Sequence, residues 1–147
     1  MPDAQRFALV ATFAKHVPQN VALGLRILNI AADGCTFELP YADFLVGNPD
    51  TGVIHGGAIT TLLDGISGCA VFALVEKLMP IATLDLRIDY LRPAEPHKSV
   101  FAHAVCYHMS KNVAFTRAVA YQHGDSLDNP IANAVGTFML DTKRGPK

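Results

Sequence analysis

Residues 58–78 read AITTLLDGISGCAVFALVEKL, and this stretch decides the fold. Ile59, Leu62, Leu63, Ile66, Ala70, Ala73 and Leu74 recur at the three- and four-residue spacing of one helical face, and Val71 and Val75 fall elsewhere on the wheel. A helix that is apolar nearly all round is a buried helix. At ~1.5 Å per residue it would run roughly 30 Å, the width of a small domain, with Pro80 closing it.

Beyond Ile81 the hydrophobic period changes to two. Leu84, Leu86, Ile88 and Tyr90 alternate, and further runs occupy residues 100–107, 113–121 and 131–140, separated by Pro93 and Pro96, by Lys111-Asn112 and by the breaker-rich residues 124–130. One helix followed by hairpin-spaced strands predicts an antiparallel sheet packed on that helix, an α+β arrangement. Upstream, Phe7, Val10, Ala11 and Ala14 predict an additional N-terminal helix over residues 3–15, capped by Asp3 and stopped by Pro18. Alternation of Val21, Leu23, Leu25 and Ile27 predicts a strand over 21–30, joined through the Ala32-Asp33-Gly34 turn to a second strand over 35–39. The turn formers Gly47, Asn48, Pro49, Asp50 and Gly52 make residues 40–53 an irregular loop inside one domain, 1–147, and the polar residues 142–147 a frayed end.

With 147 residues, half of them hydrophobic, the chain is long enough to bury a core. A formal net charge of −1 with no basic stripe argues against nucleic acid as a partner. The longest apolar stretch, residues 66–75, is about half the ~20 needed to cross a bilayer, so no membrane association is expected. Residues 1–15 lack the order of a secretory signal, which points to the cytoplasm. Cys35, Cys69 and Cys106 are odd in number, widely spaced and set among small or apolar neighbours, as reduced, buried side chains would be. No histidine pair has metal-ligand spacing; His103 and His108, five apart on a strand, should face opposite sides.

Chemistry concentrates around Asn48-Pro49-Asp50-Thr51-Gly52-Val53-Ile54-His55-Gly56-Gly57, which delivers two glycines to the start of the buried helix. Helix N-termini present unpaired N–H groups and a partial positive charge, so the amides near Gly56 and Gly57 can receive an anion or a polarised carbonyl. The same glycines also fit a plain loop-to-helix turn. Asp64, two turns in, is a carboxylate among apolar and small residues, a position that is costly unless it is paired, hydrated or functional. It is read either as catalytic or as a structural acid bonded to a threonine hydroxyl or a strand. His55 and Asn48 likewise stand as site residues or as ordinary loop formers.

Taken in order, Asn48, His55-Gly56-Gly57, Asp64, Thr83-Leu84-Asp85-Leu86, Asp89-Tyr90-Leu91-Arg92-Pro93-Ala94 and Lys111-Asn112-Val113-Ala114-Phe115 resemble the hotdog-fold acyl-CoA thioesterases of the phenylacetate-degradation (PaaI-like) type over residues 45–140. The resemblance implies a sheet wrapped around the central helix and a homodimer, paired further into a dimer of dimers, with active sites at the subunit boundary. It also implies roles by position. The Gly57 N–H holds the thioester carbonyl oxygen, with Gly56 beside it, and Asp64 of the other subunit activates water or attacks directly. Asn48 and His55 position thioester or water, and Thr83 orients Asp64 or the water. No metal or redox cofactor is then needed.

Binding of the phosphates of coenzyme A would fall to local cations, with Arg92 and Lys111 as candidates and Arg117 behind them, each also explicable as an ordinary solvated charge. Phe72, Phe101, Phe115 and Phe138 are candidates for lining an acyl pocket or for plain core. The expected function is hydrolysis of an acyl-CoA thioester; the alternative is a non-catalytic acyl-CoA binding or regulatory module on the same scaffold.

Overall fold

The computed structural model describes residues 2–123 and 128–142; residues 124–127, within the breaker-rich stretch, and the tail from residue 143 lie outside the described residues. Two helices, α1 (Asp3–His16) and α2 (Pro18–Leu23), precede a hairpin of β1 (Arg26–Ala31) and β2 (Gly34–Leu39). A small second hairpin, β3 (Val46–Asn48) and β4 (Val53–Ile54), leads into α3 (Gly56–Phe72). Four strands follow: β5 (Ile81–Tyr90), β6 (Val100–Met109), β7 (Val113–Gln122) and β8 (Ala132–Leu140). The main sheet has six antiparallel strands in the order β1-β2-β6-β7-β8-β5, with α3 against its inner face. This is the hotdog arrangement the sequence led us to expect, with the extra N-terminal helix in place.

The helix fits because the sheet gives way to it. On the inner face of β6, β7 and β8, Ala102 pairs with Ala120 and Ala104 with Ala118, and these continue to Ala132 and Ala134. All six are buried, a grid of methyl groups opposite Leu62, Leu63 and Ile66, each 0% exposed. Large side chains on the helix facing small ones on the sheet allow close approach at interior packing density. Burying each leucine or isoleucine contributes about 1.5–3 kcal/mol.

Several expected boundaries move. α3 ends at Phe72, not near Pro80: Ala73, Leu74 and Val75 form the closing turn, and Val75 joins a second buried cluster with Phe138 and Leu140. Seventeen residues make the helix about 25 Å long. Pro18 stops α1 but also begins α2, as proline does in a first helical turn, so Val21 and Leu23 are helical and the first strand starts only at Arg26. Gly24, at φ 74°, closes α2 in the left-handed conformation. Asp3 is not a cap; it lies in the first turn and pairs with Arg6 at 2.7 Å. Residues 40–53 are more regular than their composition suggests, because a 3₁₀ turn (Asp43–Leu45) and the β3–β4 hairpin are tied to the core by buried Leu45 and Ile54.

A β-bulge between Cys106 and His108 overturns the expected placement of two histidines. His103 pairs with Val119 and His108 with Phe115, four residues apart on β7, so both rings leave the same face, roughly 13 Å apart. Among the described residues no group of three or more His, Cys, Asp or Glu could hold a metal ion, and no helix is long and apolar enough to cross a membrane. Cys35 and Cys69 are buried and hydrogen-bonded to each other; that bond and burial push the Cys69 thiol well up, and the same bond lowers Cys35. Cys106, beside the bulge near the end of β6, is only half-buried.

Truncating Leu62 to alanine should open a cavity against the alanine grid that the sheet cannot collapse to fill. We expect a loss of about 2–5 kcal/mol in urea unfolding with an unchanged m-value; a loss below about 1 kcal/mol would mean α3 is not the core element described.

Candidate active site

His55 begins the site. It is the N-cap of α3, and its ring Nδ1 accepts the Gly57 N–H at 2.8 Å. Accepting at Nδ1 places the proton of the neutral ring on Nε2, which leaves a second donor for a ligand. The residue is held from behind: its own N–H donates to the Leu45 carbonyl at 2.8 Å, and Gly47 passes so close that a Cβ there would lie 2.9 Å from the His55 Cα. Gly47 thus permits β3 to pack against the cap. Asn48 turns the β3–β4 hairpin, its Oδ1 accepting the Asp50 N–H at 3.0 Å and its carbonyl accepting the Gly52 N–H at 2.8 Å. Its place is beside the cap, in a turn-forming role.

Tyr90, the last residue of β5, clamps the same helix start. Its hydroxyl donates to the Gly56 carbonyl at 2.8 Å and lies 2.6 Å from the Thr60 Oγ1. Periodicity marked Tyr90 only as one more alternating residue; a polar tip on a ring at a strand end was the available signal. Gly56, Ile59, Tyr90 and Arg92 line a hollow of about 310 Å³ over this helix start.

At the other end of β5 lies the second half of the constellation. The Thr83 hydroxyl donates to the Asp64 Oδ1 at 2.9 Å. A bulge makes this possible: Thr83 sits opposite Phe138, and Asp85 opposite Thr137, so Leu84 is the extra residue. Without it, Thr83 would share the outward face of Asp85, Arg87 and Asp89; with it, Thr83 turns inward beside Phe138, and Leu84 is left 52% exposed. The simple alternation expected for Leu84 therefore breaks at the point where the Thr83 hydroxyl meets Asp64.

Asp64 and Thr83 form one wall of a mainly apolar cavity of about 720 Å³. It runs along α3 past Gly65, Gly68 and Phe72, is floored by Phe138, and is covered by α1 through Val10 and Phe13. Of the four candidate phenylalanines, Phe72 and Phe138 line this cavity. Phe101 instead stacks on Tyr121 at 5.8 Å, and Phe115 faces Tyr107 and His108 on the sheet.

The structure brings His55, Gly56, Gly57 and Asn48 together at the start of α3, and Asp64 with Thr83 seven residues further along. Seven helical residues separate Asp64 from Gly57 by roughly 10 Å, so within one chain the carboxylate does not reach that amide. The candidate cations are also apart. Arg92 lies beyond the C-terminal end of β5 with Nη2 on the Asn129 carbonyl at 3.0 Å, while Lys111 is exposed in the β6–β7 turn at the opposite end of the sheet. Arg117 lies over the Tyr107 ring at 4.4 Å.

The family model described as Thioesterase superfamily matches residues 51–128. The chain is 29% identical over 141 residues to the medium/long-chain acyl-CoA thioesterase YigI of Salmonella typhimurium, covering 87% of this chain and 88% of that protein. A Pseudomonas aeruginosa protein of solved structure superposes with a TM-score of 0.81 at 43% identity, over 94% of this chain and 98% of that one. A mutant of the phenylacetic acid degradation protein PaaI from Thermus thermophilus gives a TM-score of 0.71 at 26% identity, over 83% and 97% of the two chains.

Replacing Tyr90 by phenylalanine removes the hydroxyl from Gly56 and Thr60 and keeps the ring. We expect stability to fall by about 1 kcal/mol, read as a lower urea midpoint; an unchanged midpoint would mean the clamp does not hold the helix start.

Proposed function

Because the chain belongs to the thioesterase superfamily, we propose that it hydrolyses an acyl-CoA thioester to a free carboxylic acid and coenzyme A in the cytoplasm, with no metal or redox cofactor. The observation that carries this reading is Asp64, a carboxylate held by the Thr83 hydroxyl at the wall of an apolar cavity. In hydrolysis, water oxygen bonds to the thioester carbonyl carbon while Asp64 takes the water's proton, and the carbonyl π pair moves onto oxygen. The oxyanion then collapses, the C–S bond breaks with its electron pair leaving on sulfur, and the proton passes from Asp64 to that thiolate. Direct attack by Asp64 reaches the same products through an anhydride that water opens.

The oxyanion needs donors fixed in advance, and one such donor is worth about 3–4 kcal/mol in well-studied cases. Gly57 is the donor of this reading, with Gly56 beside it. Its N–H now rests on His55, so substrate oxygen takes over or shares that hydrogen, while His55 and Asn48 align the thioester. The roughly 10 Å between Gly57 and Asp64 calls for a second copy. β5 is one of the sheet's two edge strands and, at ten residues, the longer, with Leu84 and Tyr90 exposed, and long unpaired edges favour strand pairing. Its Thr83 end is bonded to Asp64 and its Tyr90 end to Gly56. Antiparallel pairing of β5 with its copy about a two-fold axis therefore sets Asp64 of one subunit toward Gly57 of the other, and the Arg92 end of one toward the Lys111 end of its partner. Those two cations are the proposed phosphate contacts. The sheet's outer face is left for the further pairing into a dimer of dimers.

Changing Asp64 to asparagine should leave the melting temperature within a few degrees and lower kcat by about 10²–10⁴-fold in a thiol-release assay. Wild-type turnover in that variant would remove Asp64 from the chemistry, and tight acyl-CoA binding by the wild type without thiol release would favour the binding module instead. The subunit-spanning site has its own test. Coexpressing Asp64→Asn with His55→Ala should restore about a quarter of wild-type activity, since half the dimers are mixed and each carries one intact site; no recovery would confine the site to one chain.

A further inference from the structure

The N-terminal helix is not needed to complete the sheet or to build the Asp64–Thr83 pair, yet it covers the cavity beside that pair. We propose that α1 is the outer wall of the acyl compartment, that the compartment takes an unbranched acyl chain of about ten carbons, and that Phe13 with Phe72 sets this length. The proposal rests on the thioesterase reading above and adds to it the substrate class and a specificity-determining residue.

Three observations carry it. First, the cavity is continuous with the reacting group: Asp64, Gly65, Gly68, Cys69 and Phe72 line it from one end of a helical stripe to the other. Eight residues of α3 separate Asp64 from Phe72, which is about 12 Å. With C–C bonds of about 1.5 Å meeting at about 111°, an extended chain advances roughly 1.25 Å per carbon, so this length holds about ten carbons. A compact aromatic acyl group would fill about half of it.

Second, the stripe is kept open by glycine where a side chain would fit. A Cβ on Gly68 would meet the Phe138 ring at 3.6 Å and the Ile81 side chain at 3.8 Å, ordinary contacts that show no steric demand for glycine. Gly68 is in a helix interior, where glycine is less favourable than alanine. Empty width along the cavity is what the missing side chain provides.

Third, an aromatic pair stands at the end of the α3 stripe, beside Leu78, Met79 and Pro80 of the same lining. Phe13 of α1 and Phe72 at the end of α3 meet edge to face, with ring centroids 5.5 Å apart at 70°. Phe13 is 56% exposed, so core burial does not account for an aromatic ring there; one face is in water and the other lines the cavity. The helix itself is anchored by Val10 and Ala14, both buried, and by the Asn20 side chain donating to the Ala14 carbonyl at 3.0 Å. Phe13 can be changed without removing those anchors.

The test is a saturated acyl-CoA series from butyryl to hexadecanoyl, scored as kcat/KM by thiol release on the full chain. Wild type should rise to about decanoyl and fall beyond it. Gly68→Leu should lower the decanoyl-to-butyryl ratio by about tenfold or more, with Gly68→Ala moving it the same way by less. Phe13→Ala should raise the tetradecanoyl-to-decanoyl ratio several-fold. If Gly68→Leu does not fold, Gly68→Ala and Phe13→Ala decide the matter, since neither introduces a clash. Hydrolysis that persists in these variants with the wild-type length profile overturns the acyl compartment and leaves the hydrolase standing. A wild type that releases thiol from no acyl-CoA overturns the hydrolase reading itself, and the compartment with it.

Discussion

A six-stranded sheet with one helix across its inner face has to bury that helix on nearly every side, and the rest of the molecule is arranged around this requirement. The alanine grid of β6, β7 and β8 receives Leu62, Leu63 and Ile66. The far side of the helix is covered by α1, by α2 and by β5, less tightly, and that is where Thr60, Thr61, Asp64, Gly65 and Gly68 lie half-buried. On this looser side the polar side chains of α3 find partners: Thr60 and Thr61 donate back to the Gly56 and Gly57 carbonyls, and Asp64 accepts from Thr83; Ser67, 1% exposed, is the exception on the packed side, its hydroxyl unpaired. Packing thus decides where chemistry can be placed before any reacting group is considered.

β5 converts that packing into a measured separation. One strand touches both functional ends of α3, at Thr83 and at Tyr90, and so fixes the helix start and the carboxylate relative to the same sheet edge. Rigid elements hold reacting groups more accurately than loops do. The Leu84 bulge is the adjustment that lets a single strand serve both contacts, since a regular strand from Ile81 to Tyr90 could not turn both Thr83 and Tyr90 toward the helix.

Much of this was legible in the residues, and the failures share a cause. Strand runs β5 to β8, the buried helix and the extra N-terminal helix follow from hydrophobic period, and Asp64 stood out because a carboxylate breaks an apolar pattern. Ala102, Ala104, Ala118 and Ala120 are silent to that method, since a methyl group carries little weight in any period although the grid they form seats the helix. Bulges are silent too: His103 with His108, and Leu84, depart from the faces that strict alternation gives, because one inserted residue reverses every face beyond it. The end of α3 was misplaced because Val75 is apolar in either setting, and only its partners Phe138 and Leu140 show that it has left the helix. Residues 40–53 carried turn formers in abundance, yet buried Leu45 within them and buried Ile54 directly after them were enough to order them.

The identity of the helix cap bears on the proposal that negative charge develops at the start of α3. Serine, threonine, aspartate and asparagine are the usual N-caps, and an aspartate would stabilise α3 by neutralising the positive end of its dipole. A carboxylate there would also repel an oxyanion at the same amides. His55 satisfies the Gly57 N–H with a neutral ring nitrogen, so the amide is kept directed and the helix start retains its partial positive charge. The hydrogen bond it makes is one a ligand oxygen can replace, because imidazole and carbonyl are both neutral acceptors of similar reach. A cap chosen for helix stability alone would have been a stronger acceptor and a worse neighbour for negative charge, so a histidine at position 55 suits the oxyanion role proposed for Gly57 while it also holds the helix start.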